Sequence, residues 1–142
     1  MVDVLNAMAT QCPNSVIVAG GYSQGAAVSH RAIESLDPAV KNQIAGVVLY
    51  GDTQNTQDRG QIPNFDPAKT KVICAPGDAV CKGTLVILPA HLSYGANADE
   101  GASFLNQQIL AAKTAKGTAR KAKKRAETIA ERLDKLAFEV AA

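Results

Sequence analysis

Tryptophan is absent from the 142 residues, and three tyrosines and three phenylalanines are the only aromatic side chains. A core must therefore be built mainly from Val, Ile, Leu and Ala, and an aromatic platform that stacks nucleic-acid bases is not expected. No apolar run approaches the ~20 residues of a membrane-spanning helix. The start, MVDVLNAMATQC, lacks the basic segment and apolar stretch of a signal peptide. We therefore expect one globular domain that neither spans a membrane nor exports itself.

Acidic and basic side chains are unevenly distributed along the chain. Residues 1–112 carry six basic and nine acidic side chains, a net charge of −3. Residues 113–142 carry nine basic and four acidic ones, a net charge of +5. This asymmetry predicts two parts, a globular region over residues 1–112 and a basic helical tail over residues 113–142.

In the tail, small or apolar residues recur at steps that alternate between four and three, which is a heptad pattern. The positions are 115, 119, 122, 126, 129, 133, 136 and 140. The pattern predicts an amphipathic helix that covers an apolar surface, so self-association through residues 115–140 is one prediction. Gly117 predicts a hinge or a frayed join to the preceding helix. The basic run from Arg120 to Arg125 would suit nucleic acid, but a solvated helix face is favoured because aromatic and base-reading partners are lacking.

Three apolar, β-branched runs are bounded by turn residues, as is typical of strands buried on both faces of a parallel sheet. They are residues 15–20 (SVIVAG), 44–50 (IAGVVLY) and 70–75 (TKVICA). Helical spacing occurs over residues 2–10, from Gly25 to Leu36, and again from Ser103. This alternation predicts an α/β fold. The polar stretch over residues 53–69 is long enough to be a functional loop.

The strongest functional signal is Gly21-Tyr22-Ser23-Gln24-Gly25, a G-x-S-x-G motif between a predicted strand and a predicted helix. That context is typical of a nucleophile elbow, in which a strained serine needs small residues on both sides. The helix N-terminus would favour negative charge developing near the serine. The alternative is an ordinary glycine-rich turn with an unreactive hydroxyl.

A catalytic serine needs a base, and the chain has two histidines. His30 lies about two turns along the helix that follows Ser23 and is predicted to face away from it, so His91, in a later loop, is the better candidate. The acid should follow a later strand and precede the histidine, which fits Asp78. Asp52 is the rival, for which a turn role is favoured. The order Ser23, Asp78, His91 matches that of an α/β-hydrolase triad.

The three cysteines form an odd set. Cys74 and Cys81 bracket Asp78, and a disulfide between them would hold the loop that carries the acid. Two reduced thiols are the alternative, and Cys12 is left unpaired. A C-x6-C pair without a second pair of ligands gives little support for a metal site. We predict neither a metal nor a cofactor.

Three sequence blocks together resemble the cutinases, a family of secreted serine esterases. They are GGYSQGAAV, IAGVVLYGDTQN with RGQIPNF, and KVICAPGDAVCKGTLVILPAHLSYG. The resemblance, from about residue 12 to about residue 110, implies an α/β-hydrolase three-layer sandwich with a mostly parallel central sheet. It implies that Ser23 is the nucleophile, Asp78 the acid and His91 the base. It also implies a Cys74–Cys81 disulfide, and an oxyanion hole that includes the backbone N–H of Gln24 together with its side chain.

The resemblance further implies what the protein acts on and where. Its substrates would be a cutin-type lipid polyester or short-chain acyl esters, and its location would be extracellular. The substrate-binding residues would be Tyr22, Leu85, Ile87 and Leu92, the last three forming an exposed acyl-binding rim that works without a lid. Packing in the core is the alternative for the rim residues.

Two features depart from the cutinase pattern. Cutinases begin with strands and helices upstream of the point where this chain starts, including a serine that supplies a second oxyanion donor and a cysteine that pairs with the one matching Cys12. The tail is also foreign to the pattern. We therefore expect an N-terminally truncated sheet, in which residues 15–20 form an unpaired edge, plus a C-terminal helix. The alternative to an esterase is a weak or inactive cutinase-like module that acts in interaction or assembly.

Overall fold

A computed structural model describes residues 1–141. Over these residues the chain forms three β-strands, four α-helices and several short 3₁₀ turns. The strands are β1 (Ile17–Tyr22), β2 (Ile44–Tyr50) and β3 (Thr70–Ile73). The helices are α1 (Val2–Gln11), α2 (Gln24–Glu34), α3 (Pro38–Gln43) and α4 (Ala98–Ala141). The 3₁₀ turns are Pro67–Lys69, Val80–Lys82, Pro89–Leu92 and Tyr94–Asn97.

The strands form one parallel sheet in the order β1-β2-β3. Tyr22 lies opposite Tyr50, and Tyr50 lies opposite Ile73, so all three strands end at the same edge. Two further backbone hydrogen bonds extend this edge: Ser23 N–H donates to Tyr50 O, and Gly51 N–H donates to Ile73 O. The predicted α/β fold is confirmed, and the segments that leave the carboxyl ends of the strands start side by side.

The sheet carries an apolar cluster on each face because side chains alternate along the strands. On one face, Val47 and Leu49 of β2 pack with residues of α1 and α2, such as Leu5 and Ile33. On the other face, the cluster has three buried members, Val48, Ile73 and Tyr94, packed with Tyr50, Ala75 and Leu105. The start of α4 covers this second face, where Gly46 allows Leu105 and Gln108 to approach β2 closely. The result is a helix–sheet–helix arrangement.

The strand β1 is less buried than its sequence predicts. It begins two residues later than predicted and alternates between covered and exposed positions, with Val18 exposed. Within residues 1–141, β1 pairs with β2 alone, so its other edge is open, as expected. The prediction of burial on both faces is therefore correct for β2 and wrong for β1 and β3. In β3, which ends at Ile73 and not at the predicted residue 75, only Ile73 is buried. The strands β1 and β2 have similar apolar compositions. Their difference in burial therefore comes from the elements that pack against them.

The helices differ from the sequence prediction at three places. The short helix α3 was not predicted; Asp37 precedes it and Pro38 opens it, which is a favourable start for a helix. The helix α4 begins at Ala98, five residues before the predicted Ser103. Gly117 lies inside α4, which continues through it, so the predicted interruption is not observed.

The chain divides into two compact units, residues 1–109 and a second unit that begins at Leu110. All described residues of the second unit are helical, and from residue 113 onward all are exposed. The apolar heptad positions at its end, Ile129, Leu133, Leu136 and Val140, are therefore exposed. The predicted boundary at residue 112 and the predicted self-association stay predictions. Among the described residues, no helix combines the length and the apolar character that crossing a membrane requires.

Candidate active site

Ser23 lies at the turn between β1 and α2, with backbone angles of φ 53° and ψ −120°. A positive φ is rare for a residue with a side chain and costs about 1–3 kcal/mol. The turn is tight enough that a Cβ on Gly21 would lie 2.5 Å from Gly25 O and 2.7 Å from the backbone of Ala26. A Cβ on Gly25 would meet nothing within 4 Å. The steric requirement for glycine therefore holds at Gly21 and is wrong for Gly25.

His91 lies in the 3₁₀ turn Pro89–Leu92, and its side chain is buried. Its Nε2 is 2.8 Å from Ser23 Oγ, and its Nδ1 is 2.8 Å from Asp78 Oδ2. The ring stacks on Tyr22, whose hydroxyl donates to His91 O at 2.7 Å. The structure thus brings together the three residues that the sequence predicted as nucleophile, base and acid.

Gly51 makes room for this imidazole. It follows β2 with φ 54°, and a Cβ there would lie 2.8 Å from His91 Cε1 and 3.0 Å from a ring carbon of Tyr94. Both the positive φ and the close approach require glycine at this position.

Asp78 follows β3 and is buried, with hydrogen-bond donors on both carboxylate oxygens. Val80 N–H donates to Oδ1 at 2.9 Å, and the Tyr94 hydroxyl donates to Oδ2 at 2.5 Å, alongside His91. Burial raises the pKa of Asp78, but the hydrogen bonds from Tyr94, His91 and Val80 outweigh it and hold the pKa below its usual value. Asp78 is therefore an ionised acceptor beside the imidazole.

The Tyr94 hydroxyl, which donates to Asp78, is held in the neutral form. Burial, and then its hydrogen bond to Asp78, raise the pKa of Tyr94 to about 12. The same oxygen accepts a hydrogen bond from Ala75 N–H at 2.9 Å. Tyr94 therefore connects the end of β3 to the carboxylate. Sequence reasoning missed the hydrogen bond from Tyr94 to Asp78 and the space that Gly51 leaves for His91. The one sequence signal for Tyr94 was its position three residues after His91.

The loop that carries Asp78 is closed by a disulfide between Cys74 and Cys81. Cys81 is buried. Cys12 is a free and exposed thiol. Within the described part of the chain, no group of three or more His, Cys, Asp or Glu side chains is arranged to hold a metal ion.

The rival residues His30 and Asp52 contact each other instead of the serine. Both are fully buried, and His30 Nε2 lies 2.9 Å from Asp52 Oδ2. The other oxygen of Asp52 accepts a hydrogen bond from Gln54 N–H, which is the turn role favoured from the sequence. The second ring nitrogen of His30 lies 2.8 Å from Asp58.

The predicted oxyanion and substrate residues are close in sequence to Ser23 or His91. Gln24 is the first residue of α2, where backbone N–H groups lack an intrahelical acceptor. The predicted rim is exposed: Leu85 to 83%, Leu92 to 72% and Ile87 to 56%. Core packing is therefore wrong for all three. Tyr22, which is 45% exposed, lines a cavity of about 290 Å³ together with Leu92, Tyr94 and Gly95.

These features define a class of protein. A serine at the turn after a parallel strand, an acid after a later strand and a histidine in the next loop are the arrangement of an α/β-hydrolase fold. The comparison with families of known proteins narrows this class. The sequence profile of the cutinase family matches residues 1–109, and the chain belongs to that family.

Individual relatives agree with the family assignment. The chain is 58% identical to probable cutinase 5 of Aspergillus terreus over 100 residues, which are 70% of this chain and 46% of that protein. It is 52% identical to cutinase 3 of Emericella nidulans over 102 residues, 72% of this chain and 46% of the relative. The chain therefore spans about half the length of the curated relatives it matches.

Solved structures give the same picture. A Trichoderma reesei cutinase in complex with a C11Y4 phosphonate inhibitor superposes with a TM-score of 0.71 at 40% identity, covering 77% of this chain and 48% of that one. A cutinase-like protein from Cryptococcus sp. gives a TM-score of 0.59 at 26% identity, covering 76% and 64% of the two chains.

Proposed function

We propose that this chain carries the catalytic triad of a cutinase-type carboxylic-ester hydrolase, with Ser23 as nucleophile, His91 as base and Asp78 as acid. The observation that supports this most is the pair of 2.8 Å distances from the two nitrogens of His91 to Ser23 Oγ and Asp78 Oδ2. A nucleophile and base within hydrogen-bond reach, with the base oriented by a third group, is the arrangement that activates a serine.

In the proposed reaction, Ser23 Oγ attacks the ester carbonyl carbon while His91 Nε2 takes the hydroxyl proton. Asp78 accepts the Nδ1 hydrogen bond and stabilises the imidazolium. The oxyanion is bound by the backbone N–H of Gln24, at the positive end of α2. His91 then protonates the departing alcohol. This leaves the acyl group bonded to Ser23 Oγ. A water molecule, deprotonated by His91, then attacks the acyl carbonyl carbon. The bond from this carbon to Ser23 Oγ breaks, the carboxylic acid leaves and His91 returns the proton to Ser23 Oγ.

The residues predicted to bind the substrate favour an apolar acyl or alcohol group. Leu85, Ile87 and Leu92 are exposed, and Tyr22 and Leu92 also line the 290 Å³ cavity. A cavity of that size suits a short acyl chain, and an exposed apolar rim suits a polymer or lipid surface. The proposed substrates are thus cutin-type polyesters or short-chain esters, and the proposed setting is extracellular, as for the cutinases that the sequence resembles.

A second candidate function is a weakly active or inactive module that acts through interaction. The open edge of β1 favours it, because unpaired strand edges bind other strands. The resemblance implies a second oxyanion donor besides Gln24. A chain without that donor would turn over its substrate ~10²–10³ times more slowly for this reason alone.

The test is hydrolysis of p-nitrophenyl butyrate by the purified chain and by Ser23→Ala. We expect measurable hydrolysis that Ser23→Ala abolishes, while Ser103→Ala, at an exposed serine on α4, retains it. Equal rates for the chain and Ser23→Ala would exclude Ser23 as the nucleophile. A folded chain with no activity would support the interaction module.

A further inference from the structure

A second histidine–carboxylate centre lies outside the proposed triad. His30 of α2 is fully buried, with Nε2 2.9 Å from Asp52 Oδ2 and Nδ1 2.8 Å from Asp58 Oδ2. The guanidinium of Arg31 contacts the same oxygen of Asp58. The proposed reaction uses none of these four side chains.

Both ring nitrogens of His30 contact carboxylate oxygens, one of Asp52 and one of Asp58. His30 and Asp52 are fully buried, and the side chain of Asp58 is mostly buried. The Arg31 guanidinium contacts Glu34 as well as Asp58. Removing one member of a buried hydrogen-bonded pair leaves its partner unsatisfied and is destabilising. The centre therefore holds both ends of the segment from Asp52 to Asp58 against α2.

The two carboxylates of the centre are the ends of the loop over residues 52–58, and this loop also contacts the catalytic segments. Near its start, the Thr53 hydroxyl donates to Ser23 O at 3.4 Å. Further along, Asn55 Nδ2 and Thr56 Oγ1 donate to Cys81 O at 3.0 Å and 3.2 Å. Cys81 lies three residues after Asp78 and closes the disulfide of the same loop. The 52–58 loop therefore lies between the nucleophile and the segment that carries the acid.

We propose that the His30 centre and the 52–58 loop form a positioning element that fixes the acid-bearing loop relative to Ser23. This inference rests on the proposed function, because it assigns the element to the geometry of the triad. His30, Asp52 and Asp58 act through other residues and do not touch the substrate. Loosening the element should displace Asp78 from His91 and slow the chemical step, while the exposed rim that binds the substrate stays intact.

The decisive variant is Asn55→Ala/Thr56→Ala, which removes both contacts to Cys81 O and leaves the His30 centre in place. We expect kcat for p-nitrophenyl butyrate to fall about tenfold or more at unchanged KM, since small misplacements of catalytic groups are costly. Asn55→Ala/Thr56→Ser keeps the hydroxyl donor and should recover part of kcat. Gln57→Ala, at an exposed position of the same loop, is the matched control and should behave as the parent chain.

Hydrogen–deuterium exchange provides a readout that does not depend on activity. In Asn55→Ala/Thr56→Ala, amides of residues 74–83 should exchange faster than in the parent chain. His30→Gln removes the imidazole that contacts both Asp52 and Asp58, so it should speed exchange in residues 52–58 as well as 74–83. If His30→Gln does not fold, the loop variant decides alone.

The outcomes separate the two proposals. Parent-like kcat and parent-like exchange in Asn55→Ala/Thr56→Ala would overturn the positioning element. A parent chain that hydrolyses no ester would contradict the proposed function, and the exchange of residues 74–83 would still decide whether the 52–58 loop holds the acid-bearing segment.

Discussion

Asp78 is a single residue whose charge depends on contacts from three separate segments: the loop around Val80, the turn with His91 and the turn with Tyr94. Its pKa in the folded protein lies below the ordinary 3.8. A carboxyl group of this kind contributes stability that is present above its ordinary pKa and is lost as the pH falls through its folded-state pKa. Asp78 therefore stabilises the fold at neutral pH and loses this contribution in acid.

The substitution Tyr94→Phe tests this contribution. It removes the hydroxyl donor to Asp78 Oδ2 and leaves Ala75 N–H without its acceptor. We expect the free energy of unfolding at neutral pH to fall by about 2 kcal/mol, as for a hydrogen bond to a charged group. The difference in free energy of unfolding between Tyr94→Phe and the parent chain should narrow as the pH falls below 3.8, because Asp78 becomes protonated. Urea unfolding at a series of pH values measures both effects.

Tyr50→Phe is the matched control, because the ring of Tyr50 packs edge-on against Tyr94 and faces the same cluster. Its effect on unfolding should not depend on pH across this range. A loss of stability in Tyr94→Phe that is the same at neutral pH and in acid would contradict the assigned role of the hydroxyl.

Single residues also mark which contacts the sequence could predict and which it could not. Ser23, Asp78 and His91 could be chosen from the sequence because motif and chain order restrict the candidates. Tyr94 and Gly51 could not, because a hydrogen bond or a close approach between distant segments leaves no local pattern. The second role of Asp52, as a partner of His30, was hidden for the same reason: the two residues meet only after β1 and β2 pair.

The turn from β1 to α2 packs Gly21 closely against backbone atoms. Gly21→Ala would place a Cβ against backbone atoms of Gly25 and Ala26, which cannot move like a flexible side chain. We expect Gly21→Ala to lower the free energy of unfolding by about 3 kcal/mol. Gly25→Ala has open space and lies in a helix, so it should leave stability unchanged or raise it by up to about 1 kcal/mol.

Thermal unfolding of the two variants checks this prediction, and the pair controls for the general effect of replacing glycine by alanine. Equal melting temperatures would mean that the turn is looser than the distances at Gly21 imply.

Elements were predicted well where the local sequence decides them. The bounds of β2 are those predicted, because turn residues flank an apolar run that is buried on both faces. The early start of α4 and the exposure of β1 were not predicted. Both features depend on what packs against the element. The first residues of α4 pack against β2, where Gly101 lies against Tyr50. Within residues 1–141, β1 has a partner strand on one side only.

At the scale of the whole molecule, the exposed heptad positions at the end of α4 predict association of two copies. We expect the chain to sediment as a dimer whose population rises with concentration. Leu133→Lys/Leu136→Lys should be monomeric, because charges at these positions oppose burial of the seam. Glu131→Lys makes the same change in net charge off the seam and should behave as the parent chain. A parent chain that is monomeric at all concentrations would contradict the prediction.

We propose that Ser23, His91 and Asp78 form a working triad in this chain, which spans about half the length of its curated relatives. The most direct measurement is labelling of the folded protein with a fluorophosphonate, followed by mass spectrometry of the modified peptide. The probe is chosen because the Trichoderma reesei cutinase was solved in complex with a phosphonate inhibitor. We predict stoichiometric labelling at Ser23 that His91→Ala abolishes. No labelling of a demonstrably folded chain, or labelling at another serine, would contradict the claim.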